Sequence, residues 1–200
     1  MTRIGIYGGT FSPPHNGHIE AAKAFMEQMW LDILYVIPTA IPPHKEMEVE
    51  VSAAHRLEMC RLAFSGIEGV YVSDMEIVRG GRSYTVETLR ELTGEDRRLF
   101  LLSGTDMVLT LDQWREPEEI FRLSYPVYVR RDTDASLDGI LIQKIAEYHQ
   151  KYGKVVRRIV TEPLELSSHE VREAIALEKS LKDMVPDAVE TYIKEHHLYE

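Results

Sequence analysis

A single cysteine, Cys60, occurs in 200 residues. One thiol cannot close an internal disulfide, so a disulfide scaffold or a cysteine-rich metal site is excluded. Cys60 falls inside a helical apolar pattern and reads as a small buried hydrophobe. No apolar run approaches the roughly 18 residues that would suggest a membrane span. The amino terminus enters a β-branched run at once, without a basic-plus-apolar leader. Basic charge is also scarce: 23 Lys and Arg stand against 33 Asp and Glu, a formal net charge of −10. A nucleic-acid-binding surface needs a basic face, so neither a nucleic-acid nor a membrane partner is expected, and a cytoplasmic location is. Repeats, low-complexity stretches and linkers are missing as well. At 44% hydrophobic and 28% charged residues, the chain suits one domain, residues 1–200, with a full-sized core. Nothing in composition decides between monomer and homodimer.

Short apolar runs alternate with helical patterns along the whole length. The runs are 4–7, 33–37, 70–72, 99–103, 127–130 and 155–160, each continuous enough to be buried on both faces. Helical periodicity covers 18–30, 53–64 behind a Ser52 cap, 86–92, 118–123 after Pro117, 137–152, 170–176 and 187–196. Gly153 closes the longest helix as a C′ glycine. Alternation of this kind predicts an α/β fold: a Rossmann-like open parallel sheet with right-handed crossovers and helices on both faces. The longest break, 39–51, carries Pro42, Pro43 and many charges and is a candidate flap.

The most informative segment is Gly8-Gly9-Thr10-Phe11-Ser12-Pro13-Pro14-His15-Asn16-Gly17-His18. It follows the first strand and leads into the first helix, which is where an α/β sheet builds a phosphate site. Glycines let the backbone approach a ligand where a Cβ would collide. His15 and His18 stand one helical turn apart, so both rings can serve one anion. A metal held by His15-x-x-His18 is a second possibility, but no third ligand follows at a helpful spacing and no H-E-x-x-H helix is present. Far along the chain, Leu166-Ser167-Ser168-His169-Glu170-Val171-Arg172 contains a capping box, Ser167 with Glu170. Free N–H groups, a helix dipole, two hydroxyls and the Arg172 guanidinium would converge on an anion there. From local sequence alone, an ordinary capped helix with a surface arginine is the competing reading.

These segments resemble the T-F-x-P-P-H-x-G-H and I-S-S-T-x-I-R motifs of the nucleotidyltransferase superfamily, with Ser12 where aspartate is more common and His169 where threonine is usual. Within it, the bacterial nicotinate-nucleotide adenylyltransferases carry further stretches that this chain resembles. These are Pro38-Thr39-Ala40-Ile41-Pro42-Pro43-His44-Lys45, Ser83-Tyr84-Thr85-Val86-Glu87-Thr88-Leu89, Ser103-Gly104-Thr105-Asp106 with Trp114, and Val129-Arg130-Arg131. The resemblance runs nearly the whole length.

It implies adenylyl transfer from ATP to nicotinate mononucleotide, giving nicotinate adenine dinucleotide and pyrophosphate, with Mg²⁺ carried by the ATP phosphates. His15, His18, Lys45 and Arg172 would be the catalytic cations. Gly8, Gly9, Thr10, Phe11, Gly17, Gly104, Asp106, Ser167 and Ser168 would hold ATP. Thr85, Trp114, Arg115 and His44 would hold the mononucleotide, with Trp114 stacked on the pyridine ring. Arg115 stands where the family usually has an aromatic residue, and a guanidinium could itself pair with the ring carboxylate. Two alternatives remain at this stage: the same chemistry on nicotinamide mononucleotide, and a nucleotide-binding module without turnover. A hydrolase built on the histidine pair would instead need bound transition metal.

Overall fold

The protein is described from a computed structural model that covers residues 1–42, 51–130, 137–161 and 166–200. Strand β1 (Thr2–Gly9) lies inside a six-stranded sheet with β2 (Ile33–Pro38), β3 (Val70–Val72), β4 (Arg97–Gly104), β5 (Ser124–Val129) and β6 (Arg157–Ile159). Every pairing is parallel and the strand order is β3-β2-β1-β4-β5-β6. Parallel neighbours need crossovers, and the helices between strands supply them.

Helices α1 (Asn16–Gln28) and α2 (Ala53–Ala63) follow β1 and β2; α3 (Met75–Arg79) and α4 (Thr85–Leu92) follow β3. After β4 come α5 (Thr105–Leu109), a 3₁₀ turn at Leu111–Gln113 and α6 (Pro117–Leu123). The chain then adds α7 (Asp138–Tyr152), α8 (Ser168–Ala176) and α9 (Asp187–Glu195). None of the described helices is long and apolar enough to cross a membrane.

Side chains along β4 alternate between two cores, one on each face of the sheet. Phe100 and Leu102 join Phe25 of α1, Met59 of α2, Val171 of α8 and Val189 of α9. Leu99 and Leu101 join Val86 of α4, Val108 of α5, Phe121 of α6 and Tyr148 of α7. Burial of strands on both sides is the reason their sequences read as unbroken apolar runs. Helix α1 packs so close to β1 that a Cβ on Gly5 would lie 2.9 Å from the Phe25 ring and 2.5 Å from a Leu31 methyl carbon.

The expected elements are present, with differences at their ends. Helix α1 begins at Asn16, two residues early, because His15 serves as its N-cap. Strand β5 starts at Ser124 despite Pro126, a residue that lacks a ladder donor. Pairing with β6 begins only at Val127, so Pro126 lies where β5 is still an edge. The last strand shrinks from 155–160 to Arg157–Ile159. Helices α3 and α5 were not expected; five residues are too few for a 3.6-residue period to show.

Helix α3 brings one carboxylate indoors. Glu76 is 5% exposed and accepts a 2.6 Å hydrogen bond from the Thr88 hydroxyl, which in turn accepts from Arg79 Nη2 at 2.9 Å. Burial pushes its pKa above the usual 4.5, opposed in part by Thr88 and Arg79. A raised carboxylate pKa contributes stability that is whole below the unfolded value and is lost as pH rises through the folded one. Glu76→Gln keeps an acceptor for Thr88 but carries no charge. Its stability relative to wild type should therefore climb between about pH 4 and pH 7 in denaturant unfolding. A difference that stays flat over that range would refute the burial penalty.

Candidate active site

The signature loop leaves the carboxyl end of β1, and two neighbouring strands end beside it. Gly9 pairs with Pro38 of β2, and Tyr7 pairs with Leu102 of β4, which places Gly9 level with Gly104. In the order 3-2-1-4-5-6 the connections reverse direction at β1 and β4, and ligands of open α/β sheets bind in the crevice at that point. Gly8 faces open space, where an added Cβ would meet nothing within 4 Å, whereas a Cβ on Gly9 would press the Phe11 ring at 3.0 Å. A Cβ on Gly104 would lie 2.9 Å from the Asp106 carboxylate oxygen. Gly104 and Asp106 therefore sit at the strand end where a ribose or phosphate can approach backbone.

Phe11 adopts φ 49°, which turns its ring inward. It is 2% exposed and meets Tyr7, His18 and Phe64 with centroids at 5.4, 5.0 and 6.2 Å. That aromatic floor supports the two histidines. His15 is fully buried and His18 is 7% exposed, with ring centroids 3.7 Å apart and planes tilted by 37°. The His15 backbone N–H donates to His18 Nδ1 at 3.2 Å. An Nδ1 that accepts fixes the tautomer, so the proton of the neutral His18 imidazole is on Nε2. One-turn spacing thus became a stacked pair with an assigned donor. Gly17 is the second residue of α1, between His15 and His18 in sequence.

The late motif folds onto this loop. Ser168 Oγ donates to the Pro13 carbonyl at 2.8 Å, and Arg172 Nη1 donates to the Ser12 carbonyl at 2.7 Å. These contacts join residues 155 and 160 apart in sequence. The capping box is formed: Glu170 N–H donates to Ser167 Oγ at 3.2 Å and Ser167 N–H donates to Glu170 Oε2 at 2.7 Å. Ser167 is thereby committed to its own helix, and Ser168 to the loop. At α1 the Asn16 amide is likewise taken, by the Met184 carbonyl at 2.9 Å. His169, the residue in the threonine position, is solvent-exposed beside Glu173 at 3.6 Å.

On the other side of the crevice, Thr85 opens α4 and Trp114 follows the 3₁₀ turn, half-buried against the second core. Arg115 is held across the α4–α6 junction. Its Nη1 lies 3.3 Å from Glu87, its Nε 3.8 Å from Glu116, and its guanidinium carbon 4.5 Å from the Tyr84 ring centroid. Thr85 and Arg115 are thus brought to one rim. The arginine side chain already has carboxylate partners, but exposed pairs of this kind are worth only about 0–1 kcal/mol and exchange readily. His44 and Lys45 lie outside the described residues. Among those described, no group of three or more His, Cys, Asp or Glu could hold a metal ion.

Two supporting residues escaped the sequence reading. Tyr199, next to the end of the chain, bonds to Ser12 Oγ at 3.0 Å, and Arg56 reaches the Thr10 carbonyl at 2.8 Å. Arg56 did leave a trace: it interrupts the apolar face of α2 made by Leu57, Met59, Cys60 and Ala63. Nothing local marks Tyr199.

Comparison with known proteins gives the same grouping. The cytidylyltransferase-like family profile matches residues 6–174. The chain is 41% identical over 211 residues to a probable nicotinate-nucleotide adenylyltransferase of Geobacter sp. (strain M21), with 98% of each chain covered. It is 36% identical over 208 residues to the protein of the same description from Pseudomonas aeruginosa (strain PAO1), covering 98% of this chain and 97% of that one. Among solved structures it resembles Plasmodium falciparum nicotinic acid mononucleotide adenylyltransferase complexed with NaAD. The TM-score is 0.78 at 19% identity, with 100% of this chain and 98% of that one covered; at that identity the likeness speaks for the fold.

The Tyr199–Ser12 bond yields a stability prediction. Tyr199→Phe removes one hydroxyl and leaves a buried serine without that partner, which costs about 1 kcal/mol. For a chain of this size that is a fall in Tm of about 2–4 °C. An unchanged melting curve would mean the bond adds nothing to the closure of the chain end on the loop.

Proposed function

The chain belongs to the cytidylyltransferase-like family, among the nicotinate-nucleotide adenylyltransferases, and from that premise we propose that it transfers the adenylyl group of ATP to nicotinate mononucleotide. The products are nicotinate adenine dinucleotide and pyrophosphate, a step in making NAD. The observation that carries the site reading is the meeting of two remote phosphate motifs, with Arg172 2.7 Å and Ser168 2.8 Å from carbonyls of the signature loop.

The mononucleotide's phosphate attacks the α-phosphorus of ATP. One P–O bond forms as the bond to the β-phosphate oxygen breaks, and the electron pair leaves with pyrophosphate. The second pKa of a phosphate monoester is about 6, so the nucleophile is already ionised at neutral pH and no general base is required. The barrier is repulsion between anions. Catalysis is therefore in-line positioning together with neutralisation of charge moving onto the leaving group.

His18 donates from Nε2 to a phosphate oxygen, with His15 stacked against it, and Arg172 spans the loop and the leaving group. Lys45 is assigned to the phosphates and His44 to the mononucleotide; both lie outside the described residues. Gly8, Gly9 and Thr10 bring backbone to the triphosphate over the Phe11 floor. Gly17 leaves room at the start of α1, and Ser167 and Ser168 set the α8 terminus. Gly104 and Asp106 meet a ribose. Trp114 stacks on the pyridine ring, while backbone N–H groups at Thr85 and near Arg115 receive its carboxylate. Mg²⁺ carried by the ATP phosphates would screen the triphosphate charge. The reaction needs no nucleic acid and no membrane.

A rim of backbone donors with an arginine above it favours a carboxylate over an amide, whose NH₂ would face donors. Pyrophosphate release should accordingly be faster with nicotinate mononucleotide than with nicotinamide mononucleotide, and the reverse order would assign the chain to the amide. His18→Ala should lower kcat by about 10²–10³ with the fold intact; near-wild-type turnover would falsify its catalytic role. Trp114→Ala should raise KM for the mononucleotide and leave that for ATP close to unchanged. Equal losses for both substrates would make Trp114 a packing residue instead.

A further inference from the structure

Arg56 is a charged side chain in a place where charge is expensive. It lies on α2, is 1% exposed, and has no carboxylate partner among the described residues. Both Nη groups of its guanidinium are given to backbone carbonyls, while the buried Nε has no hydrogen-bond partner among the described residues. Nη1 donates to Thr10 at 2.8 Å, and Nη2 donates to Thr39 at 2.7 Å and to Ala40 at 3.2 Å. A buried ion held only by carbonyls contributes little net stability compared with an apolar side chain of similar volume. Packing alone does not account for an arginine here.

What it joins does. Thr10 belongs to the turn after β1, whereas Thr39 and Ala40 leave β2. From there the hydrogen bonds continue: the Ala40 N–H donates to Ser83 Oγ at 2.9 Å, and the Ser83 N–H donates to the Ile41 carbonyl at 2.9 Å. Ser83 is 6% exposed and stands two residues before Thr85. A continuous string therefore runs from the triphosphate turn, through one guanidinium and the exit of β2, to the rim proposed for the pyridine ring. The strand ends are already joined by the Thr39 N–H donating to the Gly9 carbonyl at 2.9 Å; among the described residues, Arg56 is the side chain that ties Thr10, beyond that bond, to the exit of β2.

We propose that Arg56 is a positioning residue that holds the triphosphate half of the site and the pyridine-mononucleotide half in register, so that occupancy of one strengthens binding at the other. The assignment rests on the adenylyl-transfer reading of the site. The physical need is plain: in-line attack requires reacting atoms about 3–3.5 Å apart, and a misplacement of about 1 Å can cost about 100-fold in rate. Two ligands bound to loops whose tips move relative to each other, beyond the paired strand ends, would not meet that tolerance. A planar fork that grips both loops removes their relative freedom, and a lysine cannot reproduce the fork.

The test is binding coupling followed by turnover. In wild type, ATP affinity measured calorimetrically without Mg²⁺ should rise about fivefold or more when nicotinate mononucleotide is present. Arg56→Lys, which keeps the charge, should abolish that ratio and lower kcat about 10–100-fold. Each single-ligand affinity should change less than the ratio does. Ser83→Ala cuts the same string at its far end without touching a buried charge, so it serves if the lysine variant folds poorly. It should also reduce the ratio, and the double variant should lose no more than Arg56→Lys alone, because both act through one path.

A wild-type ratio of one overturns the proposal, as does an unchanged ratio in either single variant or strictly additive losses in the pair. Failure of wild type to release pyrophosphate from either mononucleotide would overturn the functional reading instead. The calorimetric ratio would still decide the role of Arg56.

Discussion

The structure depends on a contact between two stretches of chain that sequence alone leaves far apart: α8 against the loop after β1. Arg172 and Ser168 each donate to a carbonyl of that loop, at Ser12 and Pro13. Two amides of the loop that lie within turn distance of these carbonyls are committed elsewhere, the His15 N–H to His18 Nδ1 and the Asn16 N–H to the Met184 carbonyl. The guanidinium and the hydroxyl take their place. One consequence is that the late helix cannot move without moving the loop. Another is that the Arg172 charge stays beside the turn where anionic phosphates are expected.

Around that contact the site is assembled in two halves with different physics. The half proposed for the triphosphate is largely buried: an aromatic floor of Tyr7 and Phe11, a stacked histidine pair, and an α1 start whose Asn16 amide is committed to the Met184 carbonyl. In such a setting each fixed donor acts at low dielectric and needs no reorganisation as charge develops. The pyridine half is more open, with Arg115 among Glu87 and Glu116 at the surface. Exposed ion pairs exchange cheaply, so this rim can adapt to a ligand where the other half cannot. The parallel sheet reconciles the two by ending β1, β2 and β4 at one level.

Much of this was legible in the residues. The four inner strands were readable because parallel strands are buried on both faces and leave no polar alternation to confuse with a helix, whereas the edge strands β3 and β6 are short and partly exposed. The turn after β1 was readable because glycine, proline and histidine at that spacing serve few other purposes. Short helices such as α3 and α5 were not readable, for want of a full period. Lone helpers were not readable either. Tyr199 acts through a distant side chain, Ser12, and Arg56 through distant backbone, and a tyrosine near a chain end or an arginine in a helix has many ordinary uses. The capping box of Ser167 and Glu170 was visible, yet its destination was not, since the cap geometry is the same whether or not a loop lies above it.

The sequence by itself determined the alternation of strand and helix, the identity of the cationic side chains and the local geometry of each turn, because these follow from interactions within a few residues. Tertiary structure decided which of those turns face each other. It made one cradle of residues 155 and 160 apart, stacked His15 on His18, and drew Arg56 into the space between two loops. Those outcomes depend on strand order and on burial shared between both faces of the sheet, properties of the whole chain that no single segment contains.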